Sequence, residues 1–163
     1  MLAARVARDL ARIAFLLERR WAPYSKWLMT AFAQLTLADQ VGRHLRHAIS
    51  ATRWRAREAA LCAAARHLAD ATNRLGLAEP VDPAPRRFHA RDIQVLGAER
   101  LTRALTDAIN DPQLRALLAR LGHRPDGPLG HLPGAIDQAV DSVEVLTQPN
   151  RRRDYASLLG LRA

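Results

Sequence analysis

One cysteine, one lysine and no apolar run long enough to cross a bilayer set the first limits on this 163-residue chain. The solitary Cys62 excludes an intramolecular disulfide framework and fits a reducing cytoplasm. The longest uninterrupted apolar stretch in the first helical segment is Ile13 to Leu17, far short of the roughly twenty residues a membrane helix needs. Arg5, Arg8, Asp9 and Arg12 break up any secretory hydrophobic region. The chain also lacks a Gly-Ser turn, an Asp-x-Asp/Glu pair, a GxGxxG fingerprint, a P-loop and a serine elbow. Autonomous catalysis and a bound cofactor are therefore not expected.

What is present reads as a soluble globular domain, with 48% hydrophobic and 25% charged residues. A net charge of +9 and a pI near 11.3 raise the question of a nucleic-acid partner. Twenty-four of the 25 basic residues are arginine and alanine is abundant, so compositional bias accounts for the excess better than function does.

The spacing predicts an all-α chain, an irregular bundle of about six to seven helices forming a single domain over 1–163. Leu2, Val6, Leu10, Ile13 and Leu17 form one apolar stripe on the first helix. Arg5, Arg8 and Arg12 line another face with Asp9 one turn from both Arg5 and Arg12, which reads as a solvated face. Pro23 should end this helix near Trp21. A second helix begins around Tyr24 with Trp27, Leu28, Phe32 and Leu35 on one side. Thr36 and Asp39 have the form of a capping box opening a long segment that ends at Gly76. A bend at Ser50-Ala51-Thr52 is allowed by the pattern but not demanded by it. Pro80, Pro83 and Pro85 mark an internal linker over 78–90. Ile93 to Leu96, halted by Gly97, reads as a short extended stretch near 92–96. Helices follow over 98–110 and from Asp111-Pro112 to Leu121, the latter with aspartate at N-cap and proline at N1. A further helix through Ile136, Val140, Val143 and Leu146 ends at Pro149, and a short one over 155–159 closes the chain.

Two constellations stand out. Arg19-Arg20-Trp21-Ala22-Pro23-Tyr24-Ser25-Lys26-Trp27 gathers three large aromatics and three cations in nine positions. Lys26 and Arg20 suit a phosphate, and Tyr24 or a tryptophan suits a stacked base. The simpler expectation is that Trp21, Tyr24 and Trp27 anchor the core at a proline-bent helix junction while the cations reach outward. In the second, Asp137, Asp141 and Glu144 share one helix face beside Gln138. They suit a divalent cation or the charge of Lys26, but an acidic first turn favouring the helix dipole explains them more simply. His44 and His47 lie three apart without further ligands in sequence, so no metal site is expected. Cys62, flanked by Leu61 and Ala63 to Ala65, reads as an inert buried thiol.

Phe15-Leu16-Leu17-Glu18-Arg19-Arg20 leading into Pro23-Tyr24-Ser25-Lys26-Trp27 resembles the start of the domain-of-unknown-function family DUF4037. Asn73-Arg74-Leu75-Gly76-Leu77, then Arg91-Asp92-Ile93-Gln94-Val95-Leu96, then the segment from Gly134 to Leu146 resemble its later landmarks in order. The resemblance implies a helical domain that stands behind a nucleotidyltransferase domain and helps recognise or enclose a substrate. It further implies that this chain is the helical half without the catalytic half. On that footing Arg20, Tyr24, Lys26 and Trp27 from one end and Asp137, Gln138 and Asp141 from the other line a ligand cleft. The expected partners are a nucleotidyltransferase domain or subunit and a nucleotide or nucleic-acid ligand. Two rivals remain: a basic nucleic-acid-binding module using Arg5, Arg8, Arg12, Arg151, Arg152 and Arg153, and a structural domain whose bare apolar surface drives homodimerisation.

Overall fold

Alanine rather than leucine decides how the first helix packs. The computed structural model describes residues 2–122 and 147–158, and α1 spans Leu2–Leu17. Its buried positions are Ala7, Ala11, Ala14 and Phe15. They face α3 (Ala38–Ser50) and α4 (Trp54–Arg74), with α2 (Ser25–Phe32) packed beside them. The alanines of α4, Ala60, Ala64, Ala69 and Ala71, are buried likewise. Small side chains on both surfaces let helix axes approach closely, while larger ones interdigitate around them. The predicted stripe of Leu2, Val6, Leu10, Ile13 and Leu17 is therefore displaced from the core. Leu10 and Leu17 flank it half-buried, whereas Leu2 and Ile13 are exposed.

The chain divides into two compact units, Met1–Ala104 and Leu105–Ala163. The core of the first gathers Phe15, Leu28, Phe32, Leu35, Val41, Leu45 and Leu68 around those alanines. The long segment after residue 37 is two helices, because Ala51 turns extended (φ −63°, ψ 128°). Its carbonyl accepts a 2.8 Å hydrogen bond from Arg57 Nη2 across the break. Gly76 closes α4 with φ 63°, as its position after the last periodic residue predicts.

The proline-rich stretch after α4 is held down. Asn73 clamps Val81 in both directions: its Nδ2 donates to the Val81 carbonyl at 2.8 Å, and the Val81 N–H donates to Asn73 Oδ1 at 3.1 Å. Beyond it β1 (Arg86–Arg87) pairs antiparallel with β2 (Gln94–Val95), in register Arg86 to Val95 and Arg87 to Gln94. The predicted extended stretch is thus present as β2. Its partner, inside the predicted linker, was not legible because Arg-Arg carries no strand pattern. Arg100 of α5 (Glu99–Asp107) ties the stretch back, donating to the carbonyls of Asp82 at 3.0 Å and Leu96 at 2.8 Å.

The second unit holds α6 (Pro112–Gly122) packed on α7 (Pro149–Leu158). Asp111 Oδ1 accepts from the N–H groups of Gln113 (2.8 Å) and Leu114 (2.9 Å), the cap that Asp111-Pro112 predicts. Pro149 opens α7, where its missing N–H is tolerated, and the closing helix accordingly starts earlier than the predicted 155. The helix expected over 136–146 lies outside the described residues. Seven helices and two-residue strands among the described residues make the fold mostly α, as predicted.

Two local predictions fail for a physical reason. Helix α1 ends at Leu17, well before Pro23 acts. The Arg20 N–H donates to the Phe15 carbonyl at 2.9 Å and the Arg19 N–H to the Leu16 carbonyl at 3.0 Å, with Arg19 at φ 55°. That is a Schellman stop with arginine where glycine is usual. Replacing Arg19 by glycine should raise stability by about 1 kcal/mol, since a left-handed non-glycine residue is strained. A urea midpoint for Arg19→Gly no higher than that of the unsubstituted chain contradicts this. The capping box at Thr36 also does not form: the N-cap of α3 is Leu37, with no side-chain bond from its own segment. Glu18 Oε1, from the far end of α1, accepts the Leu37 N–H at 2.8 Å instead.

Candidate functional site

The α1–α2 corner, residues 18–27, is where the sequence placed its strongest signal. Two bonds pin its base: Glu18 to Leu37, and Arg20 Nη1 to the Gln34 carbonyl at 3.3 Å. The Pro23 ring fixes its own φ. Tyr24 is extended (φ −63°, ψ 163°), and its carbonyl accepts the Trp27 N–H at 3.0 Å to begin α2. Leu28 and Phe32 turn inward from that helix.

The aromatics do not. Trp21 is 94% exposed, Tyr24 65% and Trp27 52%, so they are not the core anchors that their position at a helix junction suggests. Leu28, Phe32 and Leu35 fill that role. Lys26 Nζ lies 5.5 Å from the centre of the Trp27 ring, a cation–π pairing. Residues 19–27 contain no carboxylate, and the one next to them in sequence, Glu18, is occupied by Leu37. Arg20, Tyr24, Lys26 and Trp27 are thus brought together on one exposed corner. Asp137, Gln138 and Asp141, their predicted counterparts, lie outside the described residues.

Next to the corner, the outward side of α1 carries Leu2 (77% exposed), Ile13 and Leu16 (69% exposed), opposite the buried alanines. Sequence reading missed this face because it assigned the large apolar residues to the core. On the predicted arginine face, Arg8 Nη2 pairs with Asp9 Oδ1 at 3.2 Å, and Arg5 and Arg12 also have partners. Arg152 and Arg153 lie exposed on α7, where Arg153 Nη2 donates to Asn150 Oδ1 at 2.7 Å. The side chain of Arg151 lies outside the described residues.

A second polar cluster joins α4 to the hairpin. Arg55 stacks on Trp54 with 3.9 Å between its guanidinium carbon and the ring centre. It also pairs with the Asp92 carboxylate and donates to the Asp92 carbonyl at 2.7 Å. Glu58 Oε1 accepts the Gln94 N–H at 2.7 Å, and Cys62 Sγ donates to the Gln94 carbonyl at 3.4 Å. Asp92 and Gln94 are thereby explained as hairpin anchors. Cys62 is half-buried beside an open pocket of about 330 Å³ bordered by Ala63, Arg66 and Pro85. Burial, and secondarily Glu58, push its thiol above the usual range, so a reactive thiolate is disfavoured there.

His44 stacks on His67 with ring centres 5.4 Å apart, and Arg43 Nε donates to His44 Nε2 at 3.3 Å. Burial lowers the His44 pKa below 6.5, and the charges of Arg43, His67, Arg66 and His47 lower it further. A depressed histidine contributes stability above the unfolded value that is lost as pH falls through the folded one. Unfolding free energy should therefore drop on acidification from about pH 7.5 to about 5.5. His44→Phe, which keeps the ring stack, should drop less; equal slopes in paired urea titrations contradict this. Among the described residues no group of three or more His, Cys, Asp or Glu side chains is placed to hold a metal ion, and no helix is long and apolar enough to cross a membrane.

The class this geometry defines is a mostly α-helical, multi-helix protein with an exposed aromatic and cationic corner on its first two helices. That region is also where a known family is recognised: the family model described as "Domain of unknown function (DUF4037)" matches residues 1–28. Comparison with curated proteins and comparison with solved structures each give no match.

Proposed function

We propose that this chain is an accessory, ligand-recognising helical domain that does not catalyse by itself and works docked against a nucleotidyltransferase-type catalytic region. The observation that carries this reading is the placement of exposed apolar surface. Leu2, Ile13 and Leu16 stand exposed on the side of α1 opposite its buried alanines, within the segment that the family model matches. Large apolar side chains left exposed on one side of a helix are characteristic of protein contacts. Since α1 already meets its own core through the alanine side, its leucine side is available to a second body. The corner that follows is then presented at the edge of the contact, towards a ligand. The absence of a Gly-Ser turn and of paired aspartates supports leaving the chemistry to the partner.

The test is to mix the chain with a separately expressed nucleotidyltransferase region from the DUF4037 family and weigh the products by light scattering. A complex of one copy each is expected, and Leu16→Gln should weaken it about tenfold or more, as loss of a buried apolar anchor does. Self-association through the same face, with no affinity for the catalytic region, would favour the dimerisation reading instead. Nucleotidyl transfer by the chain alone would overturn the proposal.

A further inference from the structure

Exposure of Trp21, Tyr24 and Trp27 removes the structural explanation for the corner and leaves its chemistry to be accounted for. A large aromatic ring left in water forgoes on the order of 2 kcal/mol of burial, so two indoles and a phenol on one corner call for an occupant. We propose that the corner binds single-stranded nucleic acid, with bases stacked on Trp21 and Tyr24 and phosphates held by Arg19, Arg20 and Lys26. This rests on the reading that the domain recognises a ligand here, and it names the ligand's class.

Four observations favour that class. First, three rings and three cations are mixed along nine consecutive positions, with a cation before, between and beside the rings. A strand of alternating base and phosphate matches such an order, whereas a helix lying in a lipid surface segregates its charged and apolar sides. Second, the exposed rings of 19–27 are flat faces with no exposed aliphatic side chain among them. Ring faces suit stacking, which every base offers once it is unstacked, while a duplex keeps its base faces covered and shows only edges.

Third, among the described residues no carboxylate pairs with these cations: the segment has no acidic residue, and Glu18 is committed to Leu37. Arg20 uses one of its five N–H donors on Gln34. Lys26 already lies against the Trp27 ring, a pairing of charge and ring surface that a phosphate and base extend. Fourth, the backbone that carries the rings is constrained. Arg19 is held by the Schellman bonds, Pro23 has one φ, and the Tyr24 carbonyl is engaged in the first bond of α2. A constrained backbone has less conformational entropy to lose on binding.

The experiment is fluorescence anisotropy with the full chain and a labelled oligothymidine of about twelve nucleotides, within the range of single-strand sites. Binding is expected, with a duplex of equal length held at least about tenfold more weakly because its bases cannot stack on the rings. Trp21→Ala, at a position too exposed to disturb folding, should weaken oligonucleotide binding about tenfold. Lys26→Ala should reduce the slope of log affinity against log salt by about 0.7, the increment of one phosphate contact.

Three results would overturn the proposal: equal affinity for duplex and single strand, unchanged affinity in both Trp21→Ala and Lys26→Ala, or binding to phosphatidylglycerol vesicles without binding to the oligonucleotide. Leu16→Gln separates this from the docking reading. It should leave oligonucleotide affinity unchanged while weakening the protein complex. A protein complex that forms normally beside absent oligonucleotide binding removes the ligand assignment alone.

Discussion

Truncating Phe15 to alanine should lower the stability of the Met1–Ala104 unit by about 3–5 kcal/mol, the usual cost of a buried phenylalanine. Phe15 is the largest fully buried side chain in the described protein, 1% exposed, and it sits in the last turn of α1. The buried positions that α1 and α4 bring to this core are mostly alanines, and alanines cannot rotate or extend into a void. The cavity should therefore persist rather than collapse, which places the expected loss towards the upper end. A domain has only about 5–15 kcal/mol in all, so Phe15→Ala stands near the limit of folding. Phe15→Leu supplies a graded version, expected to cost about 1–2 kcal/mol. The neighbouring Leu16, mostly exposed, provides the control: Leu16→Ala should change stability by less than about 0.5 kcal/mol. Urea unfolding followed by circular dichroism reads all three. Comparable losses at 15 and 16 would mean that the helix is rotated from the orientation described.

Removing the Glu18 carboxylate should cost about 1.5–3 kcal/mol, the value of a hydrogen bond to a charged group. Its Oε1 accepts the Leu37 N–H at 2.8 Å, and the Leu37 side chain is buried, so the amide loses its partner without gaining free access to water. The carboxylate also stands at the start of α3, where negative charge is favoured by the helix dipole. Glu18→Gln keeps an acceptor oxygen without the charge and should retain about half the effect. The decisive measurement is amide hydrogen exchange. In Glu18→Ala the Leu37 amide should lose protection selectively, while those of Val41 and Leu45 within α3 keep theirs. Uniform loss through α3 would assign Glu18 to general stability rather than to this cap.

These two residues show what the sequence could reveal. Gly76 and Asp111-Pro112 were legible because each stop or cap is completed within a few positions, where residue type and geometry are tied. The extended stretch before Gly97 was legible on the same ground, whereas the break at residues 50–52 was only allowed by the pattern and is fixed by Ala51 turning extended. Glu18 was not, since it caps a helix nineteen positions away and the local Thr36-x-x-Asp39 pattern offered a plausible substitute. The orientation of α1 was hidden because its buried side is alanine, which carries little hydropathy contrast in so alanine-rich a chain. At the candidate site, the location of the aromatic and cationic residues could be read directly. Their exposure could not, since a tryptophan beside a proline bend has the same sequence whether it fills the junction or projects from it. The pairing of Arg55 with Asp92 depends on long-range closure, and the Asn73 clamp on Val81 closes a loop without regular structure, so neither left a trace in periodicity.

The Asn73 clamp on Val81 has a consequence beyond the hairpin it helps to hold. Two hydrogen bonds from one side chain close a ring of backbone eight positions long. Closing a short ring restricts the conformations open to the loop, as a cross-link does. A disulfide would impose a comparable restriction only while oxidised, and Cys62 has no second thiol with which to form one. The amide clamp is indifferent to thiol redox state. Three prolines between residues 78 and 90 stiffen the same passage without any cross-link. Composition marks this passage as a linker, yet its hydrogen bonds make it a redox-independent staple.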